Sequence, residues 1–283
     1  MISILFPTDF SDNSMNAIKY ALEFFKYENA CFYFMNTYQR DFYDHKDLVS
    51  REVYDDILEQ VKNESEAKLA NLLKTVHEIS PNPRFRYRTI SAFNSLVEEA
   101  NRIVNDKNID LIVMGTKGNS DDRNILFGSQ TFQVLKYVEC PVLAIPANYT
   151  NTQPKRMMFP TDYMIPYKRR ELKLVCDLAG SYRSVVDVVH VSKSDKLSIR
   201  QEDNQAFIKE TICRTEINFY TLHEKNVAKA IKDYIHENEI DMLIMVNTHS
   251  SFLENVLFPS TLDKVSLDLD IPLLAMQNST RSL

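Results

Sequence analysis

The chain has 283 residues, 44% apolar and 25% charged, with a formal net charge of −6; this is the composition of an ordinary globular protein with room for about two domains. No dense Lys/Arg stripe is present, which argues against a nucleic-acid partner, and no apolar run approaches the ~18 residues of a membrane span. The four cysteines (Cys31, Cys140, Cys176 and Cys213) are scattered with no CxxC pair, and MISILFPTDF lacks the basic n-region of a secretory signal, so the cytoplasm is the expected compartment.

Ile2 to Phe6 reads as a first strand running into Pro7-Thr8-Asp9-Phe10-Ser11. From Ser11 to Phe25, apolar residues at Met15, Ile18, Ala21, Leu22 and Phe25 mark a helix, and Cys31 to Met35 a second strand. A long amphipathic stretch follows from Asp47 to about Ile79, ended by Pro81 and Pro83. Phe85 to Ile90 is a third strand, Leu96 to Val104 the core of a helix, and Ile109 to Met114 (IDLIVM) a buried parallel strand. After MGTKGNSDDRNILFGS (114–129), SQTFQVLKYV reads as another helix and Cys140 to Ile145 as the closing strand. Alternating strands and helices predict βαβ units: a parallel sheet, helices on both faces, and ligands at the carboxyl ends of the strands.

The segment 114–129 holds three of the only four glycines, Gly115, Gly118 and Gly128, against an average usage of about 7%. Each is expected either to take a positive φ or to allow close approach of a bound group. Strand, glycine loop and helix N-terminus form an anion site, to which Ser129 adds a hydroxyl. The spacing G-x2-G-x9-G-S fits neither the Walker loop nor the GxGxxG fingerprint. Ordinary turn geometry is the alternative for the glycines. Lys117 and Arg123 could neutralise phosphate or simply be exposed loop charges, and Asp121 and Asp122 could hold Mg2+ or be solvated carboxylates. No histidine or cysteine spacing suggests a metal site or a catalytic triad.

The order of elements then repeats. Lys155 to Tyr163 echoes the start, with Pro160 standing 153 positions after Pro7, and Ile240 to Met276 aligns without gaps on Ile109 to Ile145 at an offset of 131, so the first copy is longer by 22 residues between these points. Residues 1–147 and 155–283 are therefore read as two copies of one domain joined by a polar linker, 148–154. In the second copy Val246, His249 and Pro259 replace the three glycines, while Ser260 stands where Ser129 does. His190, on a strand of that copy, is expected to be a packed core residue.

The glycine spacing, the Pro7-Thr8-Asp9-Phe10-Ser11 turn and the Cys140-Pro141-Val142-Leu143-Ala144-Ile145 strand together resemble the universal stress protein family, in its ATP-binding form, over about residues 1–146. The resemblance implies two tandem flavodoxin-like (adenine-nucleotide α-hydrolase-like) α/β domains, each a five-stranded parallel sheet. It implies a stress-related regulatory protein binding ATP, with Mg2+ as an optional companion, in the first copy only. The implied nucleotide residues are Pro7, Thr8, Asp9, Asn36, Met114, Gly115, Lys117, Gly118, Gly128, Ser129, Gln130 and Thr131. Asp9 would meet the adenine end, although an aspartate before a helix is also a routine N-cap. Pairing of the copies through their closing strands into an intrachain pseudo-dimer is implied as well, with further homodimerisation left open. A nucleotide-free interaction module and a slow ATPase are the competing readings.

Overall fold

The computed structural model describes residues 1–45, 51–116, 127–192, 194, 196–212, 215–247 and 269–278. The chain forms two compact units, Met1–Asn148 and Tyr149–Leu283. In the first unit the elements run β1 (Ile2–Pro7), α1 (Asp12–Phe24), β2 (Ala30–Thr37), α2 (Gln39–Tyr43), α3 (Arg51–Ile79), β3 (Phe85–Ala92), α4 (Leu96–Asp106), β4 (Leu111–Gly115), α5 (Ser129–Tyr137) and β5 (Val142–Ile145). Its sheet is parallel, in the order β3-β2-β1-β4-β5. An all-parallel sheet is covered on both faces, which is why β1 can be a continuous apolar run: Ile4, Leu5 and Phe6 are at most 1% exposed. Edge-to-face aromatic pairs bind the strands laterally, Phe6 to Phe32 with centroids 5.5 Å apart and Phe32 to Phe85 at 4.7 Å.

Strand order reverses at β1, whose neighbours are β2 on one side and β4 on the other. A crevice opens at the carboxyl ends of the strands at such a point. The strands and long helices stand where the sequence places them; β3 runs two residues beyond the expected Ile90, and Asp47 to Ser50 lie outside the described residues. The five-residue α2 has no counterpart in the sequence reading. It is too short to show a period or to be stable alone, and it is held by Phe42, fully buried against Tyr54 and Phe93 with centroids 4.6 and 5.3 Å away.

The second unit repeats the plan with β6 (Arg156–Pro160), α6 (Arg169–Tyr182), β7 (Val185–Val191), α7 (Ile199–Thr211), β8 (Ile217–Leu222), α8 (Val227–Glu237), β9 (Met242–Asn247) and β10 (Leu273–Gln277). These strands are parallel too, in the order β8-β7-β6-β9-β10. Pro160 lies beside Val189 as Pro7 lies beside Met35. The 22-residue excess of the first copy is located by the elements: residues 38–84 join β2 to β3, whereas only 192–216 join β7 to β8. A buried carboxylate, Asp187, is satisfied by Arg156 Nε at 2.6 Å and the Tyr234 hydroxyl at 3.1 Å, as a charge removed from water must be. Among the described residues, no helix is long and apolar enough to cross a membrane.

Candidate functional site

The turn after β1 is built by side chains bonding to nearby backbone. Thr8 Oγ1 accepts from Phe10 N at 3.0 Å, and Phe10 takes a left-handed φ of 61°. Asp9 Oδ1 accepts from both Ser11 N (3.0 Å) and Ser11 Oγ (2.6 Å). The N-cap of α1 is Ser11, whose hydroxyl accepts from Ser14 N at 3.2 Å. Asp9 is therefore not the cap; it stands two residues upstream and orients the residue that is. From β2, Asn36 donates through Nδ2 to Thr8 O at 2.8 Å, and its Oδ1 accepts from Ser65 of α3 at 2.7 Å. Ser65 Oγ also lies 2.8 Å from Ser91 Oγ of β3, so one polar chain ties the ends of three strands to α3.

The described glycines do not have the backbone expected of them, since neither Gly115 nor Gly128 takes a positive φ. What requires glycine at 115 is proximity: a Cβ there would meet the Asn13 carbonyl oxygen at 2.9 Å and its carbon at 3.1 Å. The group that approaches is the first turn of α1, not a ligand. Gly128 (φ −59°, ψ 156°) is the N-cap of α5, and as glycine it supplies no side-chain cap. The helix thus starts with backbone donors that its own cap residue leaves unbonded, the arrangement that attracts anions. Thr131 donates its hydroxyl to Gly115 O at 2.8 Å, joining α5 to the end of β4.

A cavity of about 520 Å³ lies over the strand ends, between the β1 turn and the start of α5. It brings together Pro7, Thr8, Asp9, Asn36, Ser129 and Gln130 of the expected residues. Met114, Gly115, Gly128 and Thr131 are not on its wall, and Lys117, Gly118, Asp121, Asp122 and Arg123 lie outside the described residues. Phe10, several residues of α2 and α3 (Arg40, Tyr43, Glu64, Ser65, Lys68) and the start of α4 (Ser95, Leu96) also line it. Nothing in the amphipathic pattern distinguishes Glu64 and Lys68 from other solvated charges on a long helix. The rim mixes signs, with Asp9, Asp41 and Glu64 against Arg40 and Lys68. No group of three metal-ligating side chains occurs among the described residues.

The model of the universal stress protein family matches residues 1–146 and again 154–277. The chain belongs to that family. Two curated universal stress proteins of Methanocaldococcus jannaschii are similar to it: MJ0577, 27% identical over 50% of this chain and 93% of its own length, and MJ0531, 32% identical over 50% of this chain and 80% of its own. The crystal structure of a universal stress protein from Archaeoglobus fulgidus covers 98% of both chains with a TM-score of 0.73 at 17% identity, a likeness of fold. The chain is thus a tandem of two universal stress domains.

The second universal stress domain has diverged at the same place. With Pro7 on Pro160, Asp12 falls on Ile165, yet α6 begins only at Arg169. The carbonyl that would correspond to Asn13 O, that of Pro166, instead accepts from Asn278 Nδ2 at 3.1 Å. With that first helical turn missing, Val246 takes the place of Gly115 and is buried at the end of β9. His190 is buried as expected, its Nδ1 2.9 Å from Thr161 O, and so holds the carbonyl that matches the one Asn36 holds. His249, Pro259 and Ser260 lie outside the described residues.

Proposed function

We propose that the first domain binds an adenine nucleotide, ATP foremost, with the base over the ends of β1 and β2 and the phosphates at the start of α5. One observation carries this: a single cavity joins the Thr8–Asp9 turn to a helix N-terminus whose cap residue has no side chain. Its volume, about 520 Å³, is within the usual 300–1,000 Å³ of small-molecule sites. Asp9 can accept from a ribose hydroxyl or the adenine amino group, Ser129 and the first-turn N–H groups can donate to phosphate, and Mg2+ would accompany the phosphates. The resulting picture is a cytoplasmic, stress-linked regulator with domains 1–147 and 155–283, in keeping with the buried, unbridged cysteines Cys31, Cys140 and Cys176 among the described residues. The duplication also fits an intrachain pseudo-dimer, which solution scattering would test.

Titration calorimetry of the full chain with ATP is expected to give one site per chain. Gly128→Pro should weaken ATP to the level of adenosine, because proline removes the N–H that Gly128 donates to Thr116 O at 2.8 Å and so displaces the helix mouth. Two equivalent sites, or unchanged affinity in that variant, would overturn the proposal.

A further inference from the structure

The two domains share the turn after their first strand and differ in what lies over it. Thr161 Oγ1 accepts from Tyr163 N at 2.9 Å, as Thr8 does from Phe10, and Tyr163 has a left-handed φ of 56°. A bulky residue in that region is an outlier. Because it recurs in the copy that has lost its glycines, the turn belongs to the fold. In the second domain α7 closes over the aromatic residue. Asn204 donates to Tyr163 O at 2.7 Å, Gln205 to the Tyr163 hydroxyl at 3.2 Å, and the His190 ring lies 5.1 Å from that of Tyr163, which is 1% exposed. In the first domain the corresponding space is the cavity. The Phe10 ring lines it, the Lys68 ammonium stands 5.9 Å from that ring, and Glu64, Ser65 and Lys68 of α3 form the facing wall.

We infer that Phe10 is the platform on which the ligand's aromatic base lies, and that α3 reads the base edge through Glu64 and Lys68, as α7 reads Tyr163 through Asn204 and Gln205. This rests on the nucleotide proposal above and adds a recognition wall independent of the glycine loop. A phenyl face accepts any base, since stacking is indifferent to the hydrogen-bonding edge; selectivity must come from the wall. Asn36 is held in place by the bonds Nδ2 makes to Thr8 O and Oδ1 takes from Ser65, which fix its amide and make it a positioning residue. Ser65 is engaged as well, between Asn36 and Ser91. Glu64, whose Oε1 accepts from Gln60 at 2.9 Å, is an acceptor only. It suits the exocyclic amino group of adenine and opposes the carbonyl oxygen that guanine presents there, while Lys68 can donate to a ring nitrogen or a ribose hydroxyl.

The test is calorimetry of the full chain with adenosine, guanosine and ATP. Phe10→Leu should weaken adenosine and ATP by the same factor, about tenfold, and Phe10→Tyr, which keeps the ring, should restore both. Glu64→Gln should lower the adenosine-to-guanosine preference at least fivefold without changing the advantage of ATP over adenosine. Gly128→Pro should remove that advantage and leave adenosine binding intact. If ATP binds to one site but Phe10→Leu and Glu64→Gln change neither affinity nor preference, this inference falls and the nucleotide proposal stands. If wild-type protein binds no ATP, both fall.

Discussion

At Asp9 one carboxylate joins fold to site. Its Oδ1 accepts both bonds from Ser11, and neither bond engages Oδ2. The sequence showed the aspartate at the strand end but not which nearby hydroxyl would cap the helix, because Asp9, Ser11 and Asp12 are all residues that cap. Ser11→Ala is expected to cost about 1 kcal/mol of stability with nucleotide affinity unchanged. Asp9→Ala should lower ATP affinity at least tenfold, the scale of a hydrogen bond to a charged acceptor, with a smaller loss of stability; equal effects of the two variants on both measurements would reduce Asp9 to a support for the cap. In the second domain Glu171 is buried, with Oε2 accepting from Lys168 N at 3.2 Å and Oε1 without a hydrogen-bond partner among the described residues. Burial pushes its pKa up from 4.5 to about 7, against the opposing pull of the Lys168 backbone N–H and ammonium. The folded state therefore holds this proton more tightly than the unfolded chain. Its contribution is fully present below about pH 4.5 and is lost as pH rises through 7. Relative to wild type, Glu171→Gln should gain stability between pH 5 and pH 8, by up to about 3 kcal/mol. Urea unfolding at the two pH values checks this, and an equal difference at both would refute it.

Among the elements, the start of α1 and the end of β4 are fitted to one another. Gly115 admits the first turn of α1, and the second domain, which begins its helix four residues later in the alignment, carries valine at that place. Gly115→Ala is accordingly expected to destabilise the first domain by about 1 to 3 kcal/mol, the usual cost of overpacking, because the atom it meets is backbone and cannot rotate away. Thermal melting measures this, and an unchanged midpoint would show that α1 can shift. The strands and long helices were legible because a two-sided sheet demands continuous apolar runs and a covering helix demands a 3.6-residue period. What needed glycine at 115 was not legible: one letter stands for positive φ, for contact with a ligand and for contact with a neighbouring helix. Nor was α2, whose five residues are held by tertiary aromatic contacts. The cavity wall on α3 was hidden for a different reason, since which solvated charges of a long helix face a cavity depends on how far it stands from the strand ends.

For the whole molecule, the duplication supplies an internal control. Both domains have the same parallel sheet, the same register at the switch point and the same strained turn, so a property confined to one must come from the few places where they differ. A ligand that binds the folded first domain, and not its unfolded form, stabilises it by RT ln(1 + [L]/Kd), about 2.7 kcal/mol at a hundredfold excess over Kd. Amide hydrogen exchange reads this domain by domain. With saturating ATP, slowing is expected in peptides from the β1 turn, the end of β2, the middle of α3 and the start of α5, all of which meet the cavity. Peptides covering β6 to β9 should exchange as before, since the site that matches the cavity there is taken up by Tyr163 under α7. Opening that site by Tyr163→Ala should not confer ATP protection on the second domain, because Pro259 still stands where the first domain has the glycine that opens α5. Equal protection of both domains by ATP in the wild-type chain would mean either a second site or a single cooperative unit, and calorimetric stoichiometry on the same sample separates the two: two equivalents for the former, one for the latter.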